Sequence, residues 1–136
     1  MPPMTIEARY HRAPDALATL SNGRQTWLAD MPLAVDPAAR APDPHDLLDS
    51  ALAACTTLTL ELYIRRKQLA VTDLLVTVSH VEDKTADGRS DYRLDRRIAV
   101  TGDLSDDDRQ RLVQIAERCP IHRVLTGQIA IATSLA

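Results

Sequence analysis

Apolar and polar residues alternate through the first thirty positions. Thr5-Ile6-Glu7-Ala8-Arg9-Tyr10 has the period-two pattern of a strand. Ala16 to Leu20 and Gln25 to Ala29 flank Ser21-Asn22-Gly23-Arg24. Asn-Gly between short apolar runs predicts a hairpin, because a type I′ turn needs positive φ at both central residues. The chain is therefore expected to open as a small antiparallel meander. Pro32, Pro37, Pro42 and Pro44 then mark a loop from Met31 to Asp43, since proline lacks an N–H and fixes φ.

From His45 to Lys67 there is neither Pro nor Gly. Leu47, Leu48, Ala51, Leu52, Cys55, Leu58, Thr59 and Leu62 follow the i, i+3/i+4 spacing of a helix. Pro44 and Asp46 suit its start, and Arg65, Arg66 and Lys67 suit its end, where cations meet the negative pole of the dipole. Ala51 to Thr57 carries no charge on any face, which predicts a helix buried on every side. A chain of 136 residues can hardly wrap such a helix alone, which implies a partner subunit.

The period returns to two in Val71–Glu82, with Leu74, Val76 and Val78 on one face. It continues in Tyr92–Asp103, where Tyr92, Leu94, Arg96, Ile98 and Val100 alternate. The polar link from Asp83 to Arg89 holds Asp87-Gly88, so the two strands should form a hairpin. Arg96 and Arg97 are expected to face solvent or to make a cross-strand pair. Ser105, with Asp108 three residues later, signals a second helix. That helix should stop at Cys119, because Pro120 disfavours the α conformation in the residue before it. One more helical turn is expected to start at Pro120 and end at Gly127, followed by a last strand from Gln128 to Leu135. The order is β-rich, long helix, hairpin, helix, strand. It predicts an α+β domain spanning 1–136, with antiparallel sheets and helices segregated to one side.

Composition narrows the function. Aromatic residues make up 3% of the chain, with no Phe, and the net charge is −3 without long runs of either sign. Neither base stacking nor a phosphate-binding surface is expected, so nucleic acid is not an expected partner. No signal peptide is read at the N-terminus, and no apolar stretch is expected to reach membrane-spanning length. A cytoplasmic protein without metal or cofactor is expected.

Cys55 and Cys119 are the two cysteines. In a reducing compartment a purely structural disulfide is not expected. Cys55 lies mid-helix among small residues, in Leu52-Ala53-Ala54-Cys55-Thr56. Cys119 lies at a helix break, where backbone N–H groups favour a thiolate. Core packing is the alternative use for both. His45, Cys55, Cys119 and His122 are conceivable zinc donors, but His45 and Cys55 stand about 15 Å apart along one helix, too far to share an ion.

Pro44-His45-Asp46-Leu47-Leu48-Asp49-Ser50-Ala51-Leu52-Ala53-Ala54-Cys55-Thr56 resembles the first-cysteine helix of the OsmC/Ohr family. Arg118-Cys119-Pro120-Ile121-His122-Arg123-Val124-Leu125 is similar to its second-cysteine motif. The branch also found fused to α/β-hydrolases shares the Asn22-Gly23 hairpin followed by Ala29-Asp30. The resemblance implies an intertwined homodimer with buried central helices and sites at the subunit interface. It implies a peroxidatic Cys55 and a resolving Cys119. The substrates would be organic hydroperoxides, and the reductant a dithiol or lipoyl-bearing protein. It further implies an arginine and a carboxylate that activate Cys55. Arg24 matches the arginine best, Arg40 is its rival, and Asp46 is the nearest acid. The Ohr-type Glu position, ten residues before the first cysteine, is His45 here. A non-catalytic protein of the same fold, holding a small apolar ligand near Cys55, is the competing expectation.

Overall fold

A computed structural model describes residues 4–10, 17–31 and 40–136. The chain forms two compact units, Met1–Leu48 and Asp49–Ala136. Ala16 and most of the proline-rich stretch, 32–39, lie outside the described residues.

The first unit holds the expected meander. Strands β1 (Glu7–Tyr10), β2 (Leu17–Ser21) and β3 (Thr26–Asp30) pair antiparallel in that order. The β2–β3 turn differs from the expected type I′ form. Ser21 pairs with Thr26, leaving a four-residue connection, and Gly23 alone in it has positive φ, at 90°. Asn22 supplies the closure instead: its Oδ1 accepts from the backbone N–H groups of Arg24 and Gln25 at 2.9 and 2.7 Å. An asparagine side chain that mimics a backbone carbonyl in this way removes the need for a second left-handed residue.

The buried Asp30 ends β3. Its carboxylate accepts from the N–H of Met31 and of Arg40, both at 2.8 Å. The Arg40 N–H is the main cause that holds this carboxyl below the usual aspartate range. Burial opposes it, and the Met31 N–H and the Arg40 charge assist. The Asp30 N–H donates to the Pro42 carbonyl at 2.9 Å. Helix α1 (Pro44–Lys67) starts one residue earlier than the pattern implied, with proline in its first turn. Asp43 and Asp46 exchange hydrogen bonds. The Asp46 N–H reaches Asp43 Oδ1 at 2.8 Å, and the Asp43 N–H reaches Asp46 Oδ2 at 3.1 Å. This reciprocal cap satisfies two backbone donors at the helix start.

In the second unit, β4 (Ala70–Lys84) and β5 (Ser90–Asp103) form one long antiparallel hairpin, with Lys84 opposite Ser90. Both strands run longer than expected. Gly88, at φ 82°, sits in the turn, where its N–H donates to the Thr85 carbonyl. Helix α2 (Asp106–Ala116) is capped by Ser105, which accepts from the Asp108 N–H at 3.0 Å. It ends at Ala116, three residues before the expected stop at Cys119, and a turn carries the chain from there to Cys119. Helix α3 (Pro120–Thr126) follows as expected.

The core of this unit is Leu60 and Ile64 from α1 with Leu112, Ile115 and Ala116 from α2. Leu74 and Val76 of β4 and Ile98 and Val100 of β5 close it from the sheet. Arg109 ties α2 to the end of β5 by donating to the carbonyls of Val100 and Gly102, at 2.8 and 3.3 Å. A Schellman closure ends α1: the Leu69 N–H reaches the Ile64 carbonyl and the Gln68 N–H reaches that of Arg65, with Gln68 left-handed at φ 51°.

The central helix keeps one face open within this chain, in line with a helix that one subunit can hardly wrap. Leu52, Thr56, Leu60 and Ile64 make a buried stripe, whereas Leu58 and Leu62 are 64% and 70% exposed. Two expectations fail here. Gln128–Leu135 does not form a strand. It pairs with no strand among the described residues, and Ile129, Ile131 and Leu135 are exposed. A period-two pattern gives the propensity, but a strand also needs a free edge to bond to. By length and composition α1 would suffice to cross a membrane, contrary to the expectation that no stretch is long enough. Its polar residues are nevertheless tied to the hairpin: Asp49 accepts from the Tyr92 hydroxyl at 2.7 Å and pairs with His80, and Thr56 accepts from Arg96. A core helix makes such ties.

Candidate functional site

The second unit brings Cys55 and Cys119 together, although 64 residues separate them in sequence. Both are free thiols. Cys55 is half-buried on α1, one residue before the buried Thr56, so the helix aims both at the start of α3. Cys119 is fully buried and is the N-cap of α3, where its sulfur accepts from the His122 N–H at 3.3 Å.

The Cys55 and Cys119 sulfurs interact directly, and this contact separates the two acidities. Burial pushes the Cys55 thiol up, and its contact with Cys119 pushes it further. The Ile121 N–H and the Thr59 hydroxyl oppose this and are outweighed. Burial acts to raise Cys119 as well, but four groups converge on its sulfur: the Cys55 thiol, the N–H groups of His122 and Ile121, and the Thr56 hydroxyl. Together they hold Cys119 below the ordinary thiol value. Hydrogen bonds to a charged form favour that form. The pair thus carries its negative charge first on Cys119 and keeps its proton on Cys55.

Arg96 was expected to face solvent or to make a cross-strand pair. It instead points inward from β5 and donates to the Thr56 hydroxyl and to His122 Nδ1, each at 3.1 Å. The alternation Tyr92, Leu94, Arg96, Ile98, Val100 already placed it on the half-buried face. Thr56, Thr59 and Asp49 were also missed as site residues. Only their helical phase relative to Cys55 could have marked them.

A cavity of about 450 Å³ opens against Arg96 and His122; neither cysteine lines it. Leu52, Leu94, Ile98, Val113 and Leu125 give it apolar walls, and Arg96, His122, Tyr92 and Glu117 supply polar groups. Such a lining suits a small, mostly apolar molecule with one polar end.

The expected activating residues lie in the first unit. Arg24 is exposed in the β2–β3 connection, and its N–H is bound by Asn22. Asp46 serves the cap of α1. Arg40 is engaged with Asp30 through its N–H and its charge. Among the described residues, no three His, Cys, Asp or Glu side chains lie close enough to hold a metal ion.

The family model described as "OsmC-like protein" matches residues 37–134, and the chain belongs to that family. No curated protein matches the sequence. Among solved structures, the chain is similar to an OsmC-like protein from Mycoplasma pneumoniae. Identity is 23% and the TM-score 0.78, over 93% of this chain and 89% of that one. It is also similar to an organic hydroperoxide resistance protein from Legionella pneumophila, at 20% identity and TM-score 0.69 over 90% of both chains. A third is the organic hydroperoxide resistance protein OhrB of Bacillus subtilis, at 24% identity and TM-score 0.65 over 90% of both. At these identities the likeness establishes the fold.

Proposed function

We propose that this protein is a thiol-dependent reductase of organic hydroperoxides that works as a homodimer in a reducing, cytoplasmic setting. The observation that carries this reading is the contact between the Cys55 thiol and the Cys119 sulfur. Family membership and the hydroperoxide resistance proteins among its structural relatives support it.

The chemistry follows from the unequal pair. Cys55 is the sulfur with partial access to solvent, and Cys119 holds the charge. The Cys119 thiolate takes the Cys55 proton across their contact. The Cys55 sulfur attacks the terminal oxygen of ROOH and the O–O bond breaks. The departing alkoxide takes the proton back from Cys119 and leaves as ROH. Cys55 is then a sulfenic acid, and Cys119 is again a thiolate. Cys119 attacks that sulfur, the S–S bond forms, and hydroxide leaves to become water. A dithiol, free or lipoyl-borne, reduces the disulfide by exchange. The apolar cavity would take the R group. Arg24 and Asp46 remain the proposed supporting pair, with Asp46 acting as the holder of the arginine.

The unpartnered Leu58 and Leu62 stripe and the unpaired Gln128–Leu135 segment both support a second copy as partner. The apolar cavity also favours the competing reading, a protein that binds a small apolar ligand without turnover. Counting free thiols after adding cumene hydroperoxide to the reduced protein separates the two. The reductase loses two thiols per chain, and Cys55→Ser blocks the loss. Unchanged thiols at excess peroxide would favour the binder.

A further inference from the structure

Arg96 is not part of the sulfur chemistry, yet its surroundings are specific. It sits mid-strand in β5, opposite Val78, in a row that otherwise faces the apolar core. Its two terminal nitrogens go to two different partners, Thr56 Oγ1 and His122 Nδ1. Both partners touch Cys119: the Thr56 hydroxyl and the His122 N–H each donate to its sulfur. A threonine hydroxyl has one proton. Once its oxygen accepts from Arg96, that proton is directed toward the sulfur. A ring that accepts at Nδ1 carries its own proton on Nε2, so the imidazole is held in one tautomer and α3 is held with it. The charged or titratable groups around this sulfur are Cys55 from α1, Arg96 from β5 and His122 from α3, with Glu117 on the cavity rim.

We propose that Arg96 is a positioning residue for the Cys119 thiolate: its fork locks the Thr56 hydroxyl and the first turn of α3 so that their donors converge on one sulfur. What that thiolate is for rests on the redox reading above, but the positioning can be read without any peroxide. A planar fork is required, because a lysine carries the same charge but cannot span both acceptors in that geometry. Arg96 therefore acts through Thr56 and His122, and its charge alone does not account for the effect.

The test is an ultraviolet titration of thiolate absorbance in a Cys55→Ser background, where Cys119 is the sole thiol. The doubly serine-substituted protein serves as the blank for tyrosine. Arg96→Met and Arg96→Lys should each move the Cys119 midpoint up by about one pH unit. Thr56→Val should raise it by part of that amount, and adding Arg96→Met to it should bring the rise only to that of Arg96→Met alone, because the two share the Thr56 arm and the arginine alone carries the His122 arm. Thr56→Ser, which keeps the hydroxyl, should hold the parent midpoint. An unchanged midpoint in folded Arg96→Met, or a parent-like midpoint in Arg96→Lys, overturns the proposal. Should Arg96→Met fail to fold, Arg96→Lys and Thr56→Val give the same readout. A shifted midpoint in a protein that never reduces peroxide would leave Arg96's role standing and remove only the redox reading. Intact peroxide reduction with an unmoved midpoint would do the reverse.

Discussion

Replacing Leu58 and Leu62 together by aspartate should convert the proposed homodimer to a monomer without unfolding it. The two leucines sit one turn apart on α1, 64% and 70% exposed, on the side away from the buried stripe of Leu52, Thr56, Leu60 and Ile64. In a two-fold dimer the same patch is used by both subunits, so four leucines are covered. Full burial of a leucine contributes about 1.5–3 kcal/mol, and roughly two-thirds of each remains to be buried, giving about 1–2 kcal/mol per side chain and about 4–8 kcal/mol per dimer. Aspartate forfeits this and brings a carboxylate to the interface. A loss of about 4 kcal/mol at 1.4 kcal/mol per decade raises the dissociation constant about a thousandfold. Core packing is expected to survive, since neither leucine belongs to the core cluster. Sedimentation velocity over a micromolar concentration series reads the oligomer, and circular dichroism reads the fold. A parent protein that sediments as a monomer throughout, or a double variant that dimerises like its parent, would refute the reasoning.

Two further outcomes follow from local geometry. Gln68 holds the left-handed position that closes α1, at φ 51°. There Gln68→Gly should stabilise the protein by about 1 kcal/mol, read as a shift of the urea midpoint, because glycine bears no Cβ penalty in that region. The pH dependence of peroxide-driven thiol loss should follow Cys119. Its thiolate forms at a pH below the ordinary thiol value, so the reaction should persist below that value and be lost as the pH falls through the lowered midpoint. Stopped-flow thiol counting across a pH series that brackets the ordinary thiol value checks this, and a rate that rises only above that value of about 8.5 would contradict it.

How far the residues themselves announced this structure differs from element to element. The β4–β5 hairpin was legible because apolar residues recur every second position on one face, and the turn carries Asp87-Gly88. The start of α3 was legible because Pro120 both ends one conformation and begins the next. The uncharged middle of α1 announced a helix needing more cover than one chain gives, but not which face would stay open, because it looks the same whether a face meets its own sheet or another molecule. The final strand was misjudged for a related reason: Gln128–Leu135 has strand propensity, but whether it pairs depends on an edge that local sequence does not describe. The proximity of Cys55 and Cys119 was implied by family motifs and by no local signal. Arg96 was misread because its charge was weighed above its phase. Its place in the Tyr92–Val100 alternation pointed inward, toward the hydroxyl and imidazole that accept its hydrogen bonds.

The most direct measurement is peptide mapping by mass spectrometry of the reduced protein after one equivalent of tert-butyl hydroperoxide. It should find the Cys55 peptide joined to the Cys119 peptide within one chain, with the alcohol released. Thiols that both survive, or a Cys55 carried on to sulfinic acid beside an untouched Cys119, would contradict the account.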